Sequence, residues 1–470
     1  MKLDLQPGPG RHLSDLLFAT GVEFPCGGEA NCGGCRVRVL SGQVPATAPM
    51  RQVLSEEEIA AGWRLACVAE ADGPVSVEVD QWTVRILSDE QSVALEPRPG
   101  RGAVIDLGTT TLVVQTVDLA TGEVLGVETD LNPQARFGAD VMSRIQYQLH
   151  HPGSLTGLIR ERLGAMLQGS GPLEEILIVG NTAMHHLFCG LDVEPLSHVP
   201  FESPTLGAVQ VELDWPGPAI FLPNLGGFVG SDLLAGIVAT GLDTSSHRTA
   251  LFDIGTNGEI VVGSSQGIRC ASTAAGPAFE GGRISKGMRA GAGAIDSVHA
   301  GLECRVIGGV PARGICGSGL VDAVAVARQQ GLILPGGRVT TADRRIPLTP
   351  EVALTQGDIR ELQLAKGAMA AGLKMLNPHP PEKLYLAGAF GNYIRQSSAC
   401  AIGLLPEGCL VEPVGNSALR GARILLLTPS TRRERLERLL SITTHVELAS
   451  DPDFQDLFAE SMTLMSYTLE

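Results

Sequence analysis

Several things are scarce in this chain. Aromatic residues make up only 4% of 470 positions, with 3 Trp, 4 Tyr and 12 Phe. Positive charge is in deficit, 35 Lys and Arg against 51 Asp and Glu, for a formal charge of −16. Phosphate backbones are bound through a basic footprint, so nucleic acid is excluded as a partner. No run of 18 apolar residues occurs, and no membrane span is expected. The pattern Gly-x-x-x-x-Gly-Lys-Ser/Thr is missing throughout, so this is not a P-loop enzyme. No secretory hydrophobic stretch precedes the first cysteines, Leu16-Leu-Phe-Ala19 being far too short. The ten cysteines are therefore assigned to a reducing cytoplasm rather than to a disulfide framework. Glycine is abundant, at 58 residues, and the chain is 44% apolar. That is ample for the cores of about three domains and suits an α/β protein with many phosphate-type turns.

Four of the cysteines stand out. Cys26-Gly-Gly-Glu-Ala-Asn-Cys32-Gly-Gly-Cys35 places three in one loop, and Cys67 follows in Trp63-Arg-Leu-Ala-Cys67. This is the plant-type [2Fe–2S] arrangement with one extra residue between the first two ligands. Glycine between the ligands lets the backbone approach sulfide and aim N–H groups at it. A zinc site generally takes paired Cys-x2-Cys hooks, and only one is present. The other six, Cys189, Cys270, Cys304, Cys316, Cys400 and Cys409, have no ligand spacing and are expected to pack as small apolar residues. Leu13 to Thr20 reads as a short helix, and Cys35 to Leu40 and Val75 to Val79 as alternating strands. Residues 1–86 thus resemble the β-grasp ferredoxins. They hold 7 basic and 11 acidic side chains, a face suited to a basic redox partner. Residues 87–102, polar with two prolines and two glycines after position 95, read as a short linker.

The remainder contains an internal echo. Val104-Ile-Asp106-Leu-Gly108-Thr109-Thr110-Thr111 recurs 147 residues later as Leu251-Phe-Asp253-Ile-Gly255-Thr256-Asn257-Gly258-Glu259. Each copy is an apolar strand, Asp-x-Gly-Thr and a second apolar strand, so two related halves, 103–248 and 249–470, are expected to face each other. Such hairpins offer backbone N–H groups and hydroxyls to phosphates, while each aspartate can hold Mg²⁺ beside them. Two of them would clamp one ATP. Leu384 to Ala387 running into Gly388-Ala-Phe-Gly391 suits a nucleotide's base and ribose, and Ile176 to Val179 runs into Gly180-Asn181-Thr182.

These hairpins and turns resemble the actin/Hsp70/sugar-kinase superfamily, whose ribonuclease H-like lobes close on ATP. The run Ser272-Thr-Ala-Ala-Gly276-Pro-Ala-Phe-Glu280, continuing to Met288-Arg-Ala, then Ile315-Cys-Gly317-Ser-Gly319, and the tail His445 to Met462 are similar to the ATP-dependent reductive activators of corrinoid proteins. In one respect the chain departs from them. Those activators carry a middle domain between ferredoxin and ATPase, and the 39 positions from Cys67 to Asp106 leave no room for one.

The resemblance implies a two-lobed ATPase that returns a corrinoid protein's cobalt from Co(II) to Co(I), drawing the electron from a [2Fe–2S] cluster on Cys26, Cys32, Cys35 and Cys67 and from a cellular electron donor behind it. Asp106, Gly108, Thr109 and Thr110 would form one phosphate loop, and Asp253, Gly255, Thr256 and Asn257 the other, with Mg²⁺ between the aspartates. Gly276, Gly388 and Gly391 would serve the nucleotide, Glu259 would orient the attacking water, and Asn181 would face the γ-phosphate. A homodimer is implied. His185 and His186 are read as packing residues, and the charge run Arg432 to Leu440 as the solvated face of a packed helix. Arg283, Lys286 and Arg289 suit a phosphate or partner contact, or a solvated basic patch. Three alternatives stand beside this: a small-molecule kinase, an activator of another low-potential enzyme, and a nucleotide-gated electron carrier without turnover.

Overall fold

The computed structural model describes residues 2–7, 13–18, 30, 35–71, 73–79, 95–138, 140–255, 257–376, 379–391, 393–449 and 451–469. Cys26, Cys32 and Thr256 lie outside these.

The N-terminal unit is a four-stranded sheet in the order Lys2–Leu5, Val75–Val79, Arg36–Ser41, Trp63–Leu65, with every pairing antiparallel. Val37 and Val77 alternate inward and meet Leu13 and Leu17 of the helix Leu13–Phe18, all fully buried. Each such leucine contributes about 1.5–3 kcal/mol through burial, which is how so short a helix holds its place. The tether ends before residue 101 and is anchored there. The Glu96 N–H donates to the Leu427 carbonyl at 2.8 Å, and the Glu96 carboxylate accepts from Ser430 Oγ at 2.8 Å.

The echo in the sequence becomes an echo in topology. One six-stranded sheet runs Val124–Leu131, Thr111–Asp118, Arg101–Leu107, Glu175–Gly180, Ala219–Phe221, Val209–Val211. The other runs Thr443–His445, Gly267–Thr273, Gly258–Ser264, Thr249–Ile254, Lys383–Ala387, Leu410–Gly415. In both, a three-stranded antiparallel meander is continued by parallel strands beside its first strand. Ile176-Leu-Ile-Val179 and Leu384 are fully buried, as strands covered on both faces require. Asp106 and Asp253 occupy the same place, the penultimate residue of the first meander strand.

Between the sheets lie two helices, Ser231–Thr240 and Ser417–Leu427, which share one core with both sheets: Val104 and Leu177 from the first, Leu251 and Val261 from the second. They cross very closely. A Cβ on Gly421 would stand 1.8 Å from the Ala235 carbonyl oxygen. This crossing lies where the two sheets share their core.

The helix Pro429–Ile442 corrects an expectation. Two of its arginines are turned inward: Arg435 makes a bidentate pair with fully buried Asp243 at 2.7 and 2.8 Å, and Arg432 another with Glu175 at 2.6 and 2.7 Å. Arg433, paired with Glu437, and Arg438 lie on the exposed face, as expected. Among the described residues no helix is long and apolar enough to cross a membrane.

Candidate functional site: an interlobe cleft and a cysteine pair

The two lobes enclose a cleft of about 1110 Å³, and the Asp-x-Gly hairpins of both open into it. Asp106, Gly108, Thr109 and Thr110 line one wall, Asp253, Gly255 and Asn257 the other. The first hairpin is closed by the Gly108 N–H donating to the Thr111 carbonyl at 3.0 Å, the second by Gly255 N–H to Asn257 at 3.0 Å. Asn132 braces the first from behind, its Nδ2 donating to the Gly108 carbonyl and its N–H to that of Thr110. Asn181 caps the helix Thr182–Cys189 through Oδ1 and donates from Nδ2 to Thr109 Oγ1 at 2.9 Å. It thereby ties a third segment to the first hairpin. Gly388 takes φ +80°, and even an ideal Cβ there would approach Asp253 Oδ1 to 3.2 Å. A side chain would obstruct the cleft where this backbone passes the carboxylate.

Six carboxylates line this space, Asp106, Asp232, Asp253, Glu259, Glu280 and Asp296, and the first four act on one another. Glu259 lies directly across the strand pair from Asp253, whereas Val113 holds the matching position opposite Asp106. Desolvation, foremost, pushes Asp106 and Asp253 up to about 6 and Asp232 to about 7. Burial likewise carries Glu259 well above its usual range, and repulsion from neighbouring carboxylates adds to the shift of Glu259, Asp253 and Asp232. A hydrogen bond from Asn416 Nδ2 to Asp106 Oδ2, 2.8 Å, works in the opposite direction. Shielded carboxylates that repel one another become ionised together when a cation joins them. The donor set therefore fits a divalent ion held beside phosphates.

Two residues named from the sequence fall elsewhere. Gly276 does not line the cleft; it precedes the turn Pro277–Glu280, whose Phe279 and Glu280 do. Gly391 packs against the backbone of Leu386, behind Phe390 and Gly388, which line the cleft. His185 and His186 are buried away from it, His186 bonded to Ser203 Oγ at 2.7 Å. Arg289 lines the cleft, while Arg283 and Lys286 do not. Cys316 lines it too, unlike the other five non-quartet cysteines. Asp232 and Asn416 were not found from the sequence. Each sits at the start of an interlobe helix, where an acid or Asn reads as ordinary capping.

In the N-terminal unit, Cys35 and Cys67 are both buried, and their Sγ atoms stand 3.3 Å apart. That is well beyond a disulfide bond. Two thiols converging without bonding fit two ligands of one metal centre; Cys26 and Cys32 lie outside the described residues.

Comparison with known proteins follows this division. Residues 5–72 match the 2Fe-2S iron-sulfur cluster binding domain, 101–245 the RACo middle region, and 247–470 the C-terminal domain of RACo, the ASKHA domain. The corrinoid activation enzyme RamQ of Eubacterium limosum is 34% identical over 417 residues, covering 77% of this chain and 70% of its own. The Co(II) methylated amine-specific corrinoid protein reductase of Methanosarcina barkeri is 27% identical over 416 residues, 76% of each. A solved reductive activator for a corrinoid, iron-sulfur protein superposes with a TM-score of 0.68 at 28% identity, covering 98% of this chain and 97% of that one.

The expected lack of a middle domain is overturned. The matching region, 101–245, begins with the strand that carries Asp106, so it is the first lobe itself and not an insertion ahead of it. The interval from Cys67 to Asp106 holds the ferredoxin strand Val75–Val79, the tether and the start of the first lobe's strand. A ferredoxin sheet, a middle region that supplies one phosphate hairpin and an ASKHA domain that supplies the other account for the chain from end to end: it belongs to the RACo family of reductive activators.

Proposed function

We propose that this chain is an ATP-dependent reductive activator that returns the cobalt of a corrinoid protein from Co(II) to Co(I) for methyl transfer. The observation that carries this is the joining, on one chain of this family, of a thiol pair suited to an iron–sulfur centre and a two-walled acidic cleft suited to ATP. The kinase and other-activator alternatives account for only one of these halves.

The first lobe begins with the strand Arg101–Leu107, two residues earlier than the expected 103, and the second with Thr249–Ile254. Asp106 and Asp253 hold the Mg²⁺ that accompanies ATP. Gly108, Thr109, Thr110, Gly255, Thr256 and Asn257 present N–H and hydroxyl donors to the phosphates. Gly388 admits the ribose, and Phe390, Tyr393, Ile307 and Val310 offer apolar walls to the adenine. Glu259 is placed on one wall only and orients the water that attacks the γ-phosphate, with Asn181 holding the Thr109 side of the loop. Cys26, Cys32, Cys35 and Cys67 would hold the [2Fe–2S] cluster, which when bound supplies storage for one electron at a time. A low-potential cellular donor refills it in the cytoplasm, and the chain works as a homodimer. ATP hydrolysis drives the uphill transfer by moving the lobes about the helix crossing.

The test uses reduced, cluster-loaded protein and a corrinoid protein poised in the Co(II) state, followed by its paramagnetic signal. Co(II) is expected to disappear only with ATP and Mg²⁺, and to persist with Asp106→Asn. Equal rates without ATP, or with that variant, overturn the coupling.

A further inference from the structure

The bond from Asn416 Nδ2 to Asp106 Oδ2, 2.8 Å long, joins residues 310 positions apart in the chain. Asn416 ends the last parallel strand of the second sheet and caps the helix Ser417–Leu427, its Oδ1 accepting from the Leu419 N–H at 2.8 Å. The side chain is thus used at both ends: the oxygen starts the helix and the nitrogen reaches a carboxylate of the first sheet. One turn on, the same helix crosses Ser231–Thr240, where Gly421 faces the Ala235 backbone and Gly236 faces Ser417. Asp232, in the first turn of that partner helix, also lines the cleft. Both crossing helices therefore start at the nucleotide cleft.

We propose that Asn416 is a positioning residue for ATP hydrolysis, which orients the Asp106 carboxylate only while the two crossing helices keep their register and so makes turnover conditional on that crossing. The inference rests on the assignment of the cleft as an ATPase site. Asp106 belongs to the first lobe and could be oriented by its own sheet. Its hydrogen-bonding partner comes instead from the cap of the helix Ser417–Leu427, which follows the second sheet in the chain and packs on the first sheet and on the helix Ser231–Thr240. A shift of the two helices by about an ångström or more takes the donor out of range, since such bonds weaken steeply past about 3.2 Å. Capping alone does not explain the residue type. Ser or Asp caps a helix as well as Asn does, but Ser is too short to reach across and Asp has no donor to offer.

That difference supplies the experiment. Asn416→Ser and Asn416→Asp retain a cap and remove the donation. Asn416→Ser is expected to melt with the wild type and to bind magnesium–ATP, followed with a fluorescent ATP analogue, within about twofold, while kcat for hydrolysis falls about 10- to 100-fold, the range for a lost hydrogen bond to a charged group. Asn416→Asp, which sets a second carboxylate against Asp106, falls at least as far as Asn416→Ser. A kcat within about twofold of wild type in Asn416→Ser, or a loss confined to nucleotide affinity, overturns the inference. Failure of the underlying assignment looks different: the wild type does not hydrolyse ATP, or Asp106→Asn hydrolyses it normally.

Discussion

Two glycine-to-alanine substitutions, chemically identical, are expected to change stability in opposite directions. Gly421 lies in the helix Ser417–Leu427, and a methyl placed on it would sit 1.8 Å from the Ala235 carbonyl oxygen, 2.4 Å from its carbon and 2.8 Å from its Cα. All three obstacles are backbone of a packed helix, so none can swing aside. Carbon–oxygen contact needs about 3.3 Å, so the helices must part by about 1.5 Å. Overpacking of this kind costs about 3 kcal/mol, the upper end for an extra methyl in a filled core, against about 1 kcal/mol gained in helix propensity. Gly157 lies exposed within the helix Ser154–Met166, with nothing within 4 Å of its would-be Cβ, so the propensity gain there is unopposed. The two variants should therefore differ by about 3 kcal/mol, or about 6–12 °C in melting midpoint for lobes of this size. Thermal denaturation of both, with ATP hydrolysis in parallel, is the assay. Gly421→Ala should also hydrolyse slowly, because parting the helices draws Asn416 from Asp106. A Gly421→Ala protein that melts as high as Gly157→Ala would refute the close crossing.

Three further outcomes are expected. Cys67→Ser should abolish the cluster's visible absorbance and its paramagnetic signal after reduction while leaving ATP hydrolysis intact, since Cys67 lies in the turn Ala66–Val68 of the N-terminal unit and the cleft in the lobes. Arg435→Met leaves the fully buried Asp243 carboxylate without its bidentate partner and should cost about 3–5 kcal/mol in urea denaturation, whereas Arg433→Met on the exposed face of the same helix costs under about 1 kcal/mol. Asp106 and Asp253 titrate near 6 and Asp232 near 7 in the folded protein, above their unfolded values near 4, so the native state binds the extra protons. Their contribution to the stability of the nucleotide-free protein is thus complete below about pH 4 and is lost as the pH rises through 6 to 7. Asp232→Asn should flatten that part of the pH–stability curve, and an unchanged slope counts against a shared acidic cluster.

Much of this was written locally in the sequence. The cysteine spacing and the repeated Asp-x-Gly-Thr hairpins are short patterns whose chemistry lies within a dozen residues, and the structure returns the second as two sheets of one topology. What escaped notice depends on distant partners. Asp232 and Asn416 reach the cleft only because two helices cross, and in the linear chain each is a residue at a helix start. The arginines at 432 and 435 looked solvated because Glu175 and Asp243, which bury them, are 257 and 192 positions away. The middle region was misjudged for a related reason. Distance along the chain from Cys67 was taken as room for a domain, although that domain had already begun at the strand bearing Asp106.

Because Val113 occupies in one half the position that Glu259 occupies in the other, duplication of the scaffold has not produced duplicated chemistry. Twofold architecture here carries an asymmetry: both halves bring an aspartate to the cleft at the same strand position, and only the second sets a glutamate opposite it. Exchanging those two residues, Val113→Glu together with Glu259→Val, would ask whether the cleft can run in mirror sense, with the hydrolytic water entering from the opposite flank.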